Sequence, residues 1–351
     1  MLKIAYIDHS YHKKTRSTEF LLHILQTLGT VDIYWDESWE TKIPMDFGPV
    51  DSINYDIIVF FQILYSPEIL KQRKCRRILL VPMYDSVGDV SPSFWLPYRH
   101  YFFLNFSMAL HNSVTECGIP SFYLQYFPDP NKFPVVNHLD YSRVFFWERN
   151  KDVTLNIVKN WFSECGDCSF HYHHAPDPGN ESGLVGLAND GRWTESSWFA
   201  TSAEYKEVLS SCSVFIAPRK REGIGMAFLE AMAMGLVVVG LPYPTLDEYI
   251  SHGENGILVD ERDRIDIKNV DWRSIGASAR KRIEKGFLQY QAKIPELERW
   301  LVRLVSGNVS CSWKLVYYNL IRQFPKDALK RMRSLIHIII KQLKIKSWGS
   351  R

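Results

Sequence analysis

The sequence predicts an α/β chain of two doubly wound domains, each a parallel sheet with helices on both faces. Three observations predict it: short apolar runs that alternate with amphipathic stretches, a proline-rich break before the midpoint, and a second alternating set beyond the break. With 351 residues, 46% of them hydrophobic and 23% charged, the chain is long enough for two packed cores.

In the first half, strands are expected over 2–7, 31–34, 56–61, 77–82, 101–105 and 121–125. The break Pro128-Asp129-Pro130-Asn131, with Pro134 beyond it, reads as an interdomain linker. A strand over 144–147 and a helix over 152–162 follow. Next come a strand over 169–173, a helix over 203–210, a strand over 214–218, a helix over 227–234 and a strand over 236–240. The expected domains are 1–135 and 136–305, followed by a helical extension over 306–351. Two such units facing one another leave a cleft where the carboxyl ends of their strands meet, which is where open α/β sheets bind ligands.

Met1-Leu2-Lys3 leads directly into a short apolar run and then polar Asp8-His9-Ser10, so no secretory leader is expected and the protein is placed in the cytosol. The longest weakly polar run, Ala231 to Pro244, is shorter than the ~20 residues that cross a bilayer. The six cysteines have no framework spacing, and no disulfide is expected. Cys165-Gly-Asp-Cys168 with His171, His173 and His174 is a weak zinc signal, because a strand points His174 away from the other two; no metal site is expected.

The most informative stretch runs from Ala217 to Gly235. A buried strand ends near Pro218, a glycine-containing loop follows, a helix begins near Met226, and Gly235 caps it. At such a helix start, unpaired N–H groups and the positive end of the helix dipole suit a diphosphate, here received by Gly223, Ile224, Gly225 and Met226. Arg219, Lys220 and Arg221 reinforce the field. Glu222 and Glu230 are expected to face the same pocket, where carboxylates accept hydrogen bonds from sugar hydroxyls.

This segment, Glu222-x7-Glu230 within an EGxGxxxLEAMAxG pattern, resembles the E-x7-E signature of the glycosyltransferase 4 family of retaining enzymes with the GT-B architecture of two Rossmann-like domains. The resemblance continues through Pro244-Thr245-Leu246-Asp247-Glu248-Tyr249-Ile250 and Gly256-Ile257-Leu258-Val259, although Tyr243-Pro244-Thr245 stands where the family has a glycine pair. It implies that Glu222 sits against the transferred sugar and Glu230 takes the nucleotide ribose. It also implies that Arg149 and Lys151, at the end of the second domain's first strand, contact the donor phosphates. Tyr84-Asp85 occupies the place of a His-Asp pair beside the reacting sugar in many relatives; Tyr84 replaces the His, and Asp85 is expected to orient the acceptor hydroxyl. His9 or His111 is the alternative source of an imidazole. The family needs no divalent cation, and no Asp-x-Asp motif appears here.

The net charge of +3 is uneven: residues 322–351 hold nine Lys or Arg against one Asp. Within 326–348, apolar positions from Leu329 to Leu343 recur at helical spacing among lysines and arginines, the pattern of a basic amphipathic helix. Such a helix suits an anionic membrane surface better than nucleic acid, because no aromatic platform accompanies the charge. Together these readings predict transfer of a sugar, with retention, from a nucleotide-diphosphate sugar to a hydroxyl of a lipid-linked bacterial surface glycan, at the inner face of the cytoplasmic membrane. The alternative is a non-catalytic sugar-nucleotide-binding subunit of a membrane-associated glycan-assembly complex.

Overall fold

The computed structural model describes residues 1–88, 90–136, 142–177 and 191–307. Six parallel strands form the first sheet: β1 (Leu2–His9), β2 (Gly29–Asp36), β3 (Tyr55–Gln62), β4 (Cys75–Pro82), β5 (Phe102–Asn105) and β6 (Ser121–Tyr123), in spatial order β2-β1-β3-β4-β5-β6. The second sheet is also parallel, with β7 (Arg143–Glu148), β8 (Ser169–His174), β9 (Trp193–Ser196), β10 (Val214–Ile216), β11 (Val237–Gly240) and β12 (Ile257–Leu258), ordered β12-β11-β10-β7-β8-β9. The chain therefore reverses direction between β1 and β3 in one sheet and between β7 and β10 in the other. These are the switch points at which such sheets open a ligand crevice.

Central strands are covered on both faces, so their apolar runs are continuous: Ile4 to Ile7, Ile57 to Phe61 and Val144 to Phe146 are all buried. The β9 strand escapes the sequence pattern because Trp193-Thr194-Glu195-Ser196 is an edge strand with little apolar character. The sequence reading also lacks the helix Trp272–Val305, 34 residues long with Pro295 inside it. This helix packs on the Met226–Met234 helix and then returns to the first domain. There Arg77 Nε donates to the Leu304 carbonyl at 3.0 Å, and Trp300 packs against Phe122 with ring centres 5.6 Å apart. A Cβ on Gly286 would lie 2.2 Å from Phe127, so only a residue without a side chain lets the helix approach the linker this closely. The largest core cluster accordingly runs through both domains and this helix, from Ile4 and Leu79 through Phe145 and Phe215 to Leu301.

A second interdomain tie comes from Glu248. Its carboxylate accepts from the Ser107 hydroxyl at 2.7 Å and from the N–H groups of Met108 and Ala109 at 2.7 and 3.1 Å, capping the first-domain helix Met108–Glu116. Among the described residues, no helix is long and apolar enough to cross a membrane. The expected extension lies outside the described residues from 308 onward, including the basic stretch 326–348. The expectation of no disulfide is corrected: Cys165 and Cys168 are joined, because the turn before β8 brings their Cα atoms to 5.6 Å.

Candidate active site

The helix Met226–Met234 starts directly behind a loop whose shape depends on two glycines. Gly225 has φ +78°, and a Cβ there would collide with Phe228; a Cβ on Gly223 would come within 3.0 Å of Met83 in the first domain. Thr245 Oγ1 fixes the loop by donating to the Glu222 carbonyl at 2.7 Å. Among the described residues, the N–H groups of Gly223, Ile224, Gly225 and Met226 have no acceptor, so they remain available to an anion.

Arg149 and Arg219 leave the carboxyl ends of β7 and β10, the two strands flanking the second switch point. They share one carboxylate. Arg149 donates to Asp177 Oδ1 from Nε at 3.0 Å and from Nη2 at 2.7 Å, and Arg219 Nη2 pairs with Asp177 Oδ2. Arg219 Nη1 reaches across the cleft to Asp85 Oδ2 at 3.1 Å and lies 3.7 Å from Glu222 Oε2. Burial disfavours the charge on Arg219, but Glu222, Asp177 and Asp85 outweigh it and hold the guanidinium more firmly protonated. Burial pushes the Glu222 carboxyl up to about 7 against the opposing pull of Arg219 and Arg149. A cavity of about 490 Å³ opens here, with Asp85 and Ser86 on the first-domain side and Asn150, Asp152, Lys220 and Arg221 among its second-domain walls.

Glu230 stands apart from this cluster. Its charge is felt by Tyr126 and Tyr205, and Lys206 is its cationic neighbour; burial raises its pKa to about 7. Tyr205 also feels Arg149, and its ring meets those of Phe145, Trp147 and Phe199. Glu222 and Glu230 have different immediate neighbours, with an aromatic group beside Glu230.

The structure brings three of the expected site residues, Glu222, Asp85 and Arg149, together around Arg219, and puts two others elsewhere. Tyr84 is a core residue, 5% exposed and packed within the first domain, because it starts a helical turn that points it inward and leaves Asp85 to reach the cleft. Lys151 is exposed in a bend, with no hydrogen bond or ion pair among the described residues. His111 bonds Ser121 Oγ at 2.9 Å on the Met108–Glu116 helix, and His9 stacks on Trp39 at 4.9 Å. Sequence reasoning missed Asp177, although Ala175-Pro176-Asp177-Pro178 directly follows β8, the neighbour of β7, where a polar residue faces the crevice. It also credited Arg219 only with a general field.

Solved structures resemble this arrangement over most of its length. The sucrose-phosphate synthase of Thermosynechococcus elongatus superposes with a TM-score of 0.62 at 15% identity, covering 86% of this chain and 99% of that one. The Anabaena protein HepE, solved with UDP and glucose, gives 0.56 at 13% identity, over 85% and 99% of the two chains. The fold is GT-B. The lipopolysaccharide outer core galactosyltransferase WaaB, in its apo form, matches this GT-B chain with a TM-score of 0.50 at 14% identity, over 96% and 99%. Residues 180–269, which contain the Glu222–Glu230 segment, match the family described as glycosyl transferases group 1. No curated protein sequence matches the chain.

Proposed function

We propose that this protein is a glycosyltransferase that moves a sugar from a nucleoside-diphosphate sugar to a hydroxyl of a glycan. The observation that carries this reading is the anion site at the second switch point: unpaired amides at 223–226 beside the paired guanidiniums of Arg149 and Arg219, within the segment matched to glycosyl transferases group 1. In the proposed site these groups hold the diphosphate and stabilise its charge as the glycosidic bond to phosphate breaks. Glu222 and Asp85 face the transferred sugar and the acceptor, and Glu230 with its aromatic neighbours receives the nucleoside.

UDP is the nucleotide favoured for trial, because HepE was solved with UDP-glucose and TarM with UDP. Retention of configuration belongs to the same proposal and rests on the E-x7-E pattern. A lipid-linked surface glycan as acceptor is supported by the likeness to WaaB and by the basic segment 326–348, which would dock at the inner face of the cytoplasmic membrane. Thermal unfolding with UDP, GDP, CMP, ADP and their sugar conjugates tests the donor class, since a ligand bound only by the native state raises its stability. A selective rise with one diphosphate is expected; no rise with any of them would set the enzyme reading aside.

A further inference from the structure

We infer that Asp177 is an internal competitor of the donor: in the free protein its carboxylate holds the guanidinium pair that the diphosphate takes over. The inference rests on the glycosyltransferase reading and adds a control on its anion site.

Both oxygens of Asp177 are engaged, and both by arginine. Oδ1 accepts from Arg149 Nε at 3.0 Å and from Nη2 at 2.7 Å, and Oδ2 pairs with Arg219 Nη2. One small anion thus bridges two guanidiniums that leave adjacent strands, and the side chains of Arg149, Arg219 and Asp177 are only 18, 17 and 15% exposed. A guanidinium fork matches carboxylate and phosphate geometry alike, so a diphosphate there would make the same bonds. Among the described residues Arg149 has no other carboxylate partner, whereas Arg219 also reaches Asp85 and Glu222.

The two anions exclude one another. A diphosphate brought to the guanidiniums beside an unmoved Asp177 would add its charge to those of Asp177, Asp85 and Glu222 around two cations, and like charges at such a site repel. The geometry supplies the way out. The Asp177 N–H donates to the Arg149 carbonyl at 2.9 Å, which holds the backbone and leaves rotation of the side chain as the movement required. Asp177 lines the cavity of about 490 Å³ together with Asn150 and Lys220, an amide and an ammonium that can receive the carboxylate once phosphate replaces it.

The consequence is a shift in populations. While Asp177 lies on the arginines the site is closed to the diphosphate, so the apparent affinity is reduced by the fraction of molecules in which the carboxylate has turned away. The same contact aids release: as the nucleoside diphosphate leaves after transfer, the carboxylate returns to both guanidiniums. A residue that merely held the arginines in place for the diphosphate would act in the opposite direction, so the sign of one substitution separates the two roles.

The test is calorimetric titration of UDP, inorganic pyrophosphate and uridine into the full chain and its Asp177→Asn and Asp177→Ser variants, with folding checked by circular dichroism. Both variants are expected to bind UDP and pyrophosphate about tenfold more tightly than the wild type, the effect of removing one charged hydrogen-bonded competitor. Uridine, which lacks the phosphates, should bind all three proteins equally. If Asp177→Asn fails to fold, Asp177→Ser decides. UDP affinity equal to or weaker than the wild type's in a folded variant, or a gain for uridine as large as that for UDP, overturns the inference alone. Failure of wild type and variants alike to bind UDP or pyrophosphate overturns the reading beneath it as well.

Discussion

At the scale of single residues, the site holds two carboxyls whose burial keeps them near neutrality, and each has a measurable consequence. Glu230 is the simpler case, because Lys206 is its one opposing charge. Its pKa in the folded chain, about 7, lies above the ordinary 4.5, so the folded state binds its proton more tightly than the unfolded one. The associated stability is present in full below the ordinary value and is lost as pH rises through about 7. Glu230→Gln removes that dependence: its melting temperature should match the wild type near pH 5 and exceed it near pH 8. Equal melting temperatures at both values would show that Glu230 titrates normally. The same substitution should weaken UDP binding by about tenfold, the loss of one hydrogen bond to a charged group. Residues such as Glu222, Gly225 and Glu230 were legible in the sequence because their spacing sits on a strand-loop-helix transition. Asp177 was not, since its role depends on a neighbouring strand far away in sequence.

At the scale of elements, the strands were read from uninterrupted apolar runs, and this worked wherever both faces of a sheet are covered. It failed at β9, a polar edge strand, and at the Trp272–Val305 helix, whose apolar stripe is interrupted by exposed positions such as Leu288 and Val302 and by Pro295. Glu248 shows a different limit. The sequence pattern marks it as part of the family segment, yet its carboxylate caps a helix of the other domain through the Ser107 hydroxyl and the N–H groups of Met108 and Ala109. Glu248→Ala should destabilise the protein by about 1–3 kcal/mol, the loss of a charged cap, as read from urea unfolding. A change below about 0.5 kcal/mol, the size typical of an uninvolved surface substitution, would show that the cap contributes nothing across the domain boundary.

At the scale of the whole molecule, two sheets meet with their switch points opposed, and the Trp272–Val305 helix and Glu248 hold them in that relation. This placement puts Asp85 of one domain against Arg219 of the other and leaves the cavity between them. The positive charge is concentrated in the last 30 residues, away from this cleft in sequence, which separates the catalytic and surface-docking assignments. Deleting 326–351 should release the protein from phosphatidylglycerol-containing vesicles in a flotation assay while leaving UDP binding intact; undiminished flotation would contradict the docking role.

The central claim is that the donor diphosphate lies where the carboxyl ends of β7 and β10 meet the 226–234 helix. Calorimetric titration of UDP into wild-type protein and Arg149→Gln tests it most directly, because Arg149 can be neutralised while Arg219 keeps its partners Asp85 and Asp177. The account predicts binding by the wild type and affinity at least about tenfold weaker in the variant, as expected for loss of a charge-assisted hydrogen bond, with the fold unchanged by circular dichroism. Equal affinity in the two proteins would contradict it.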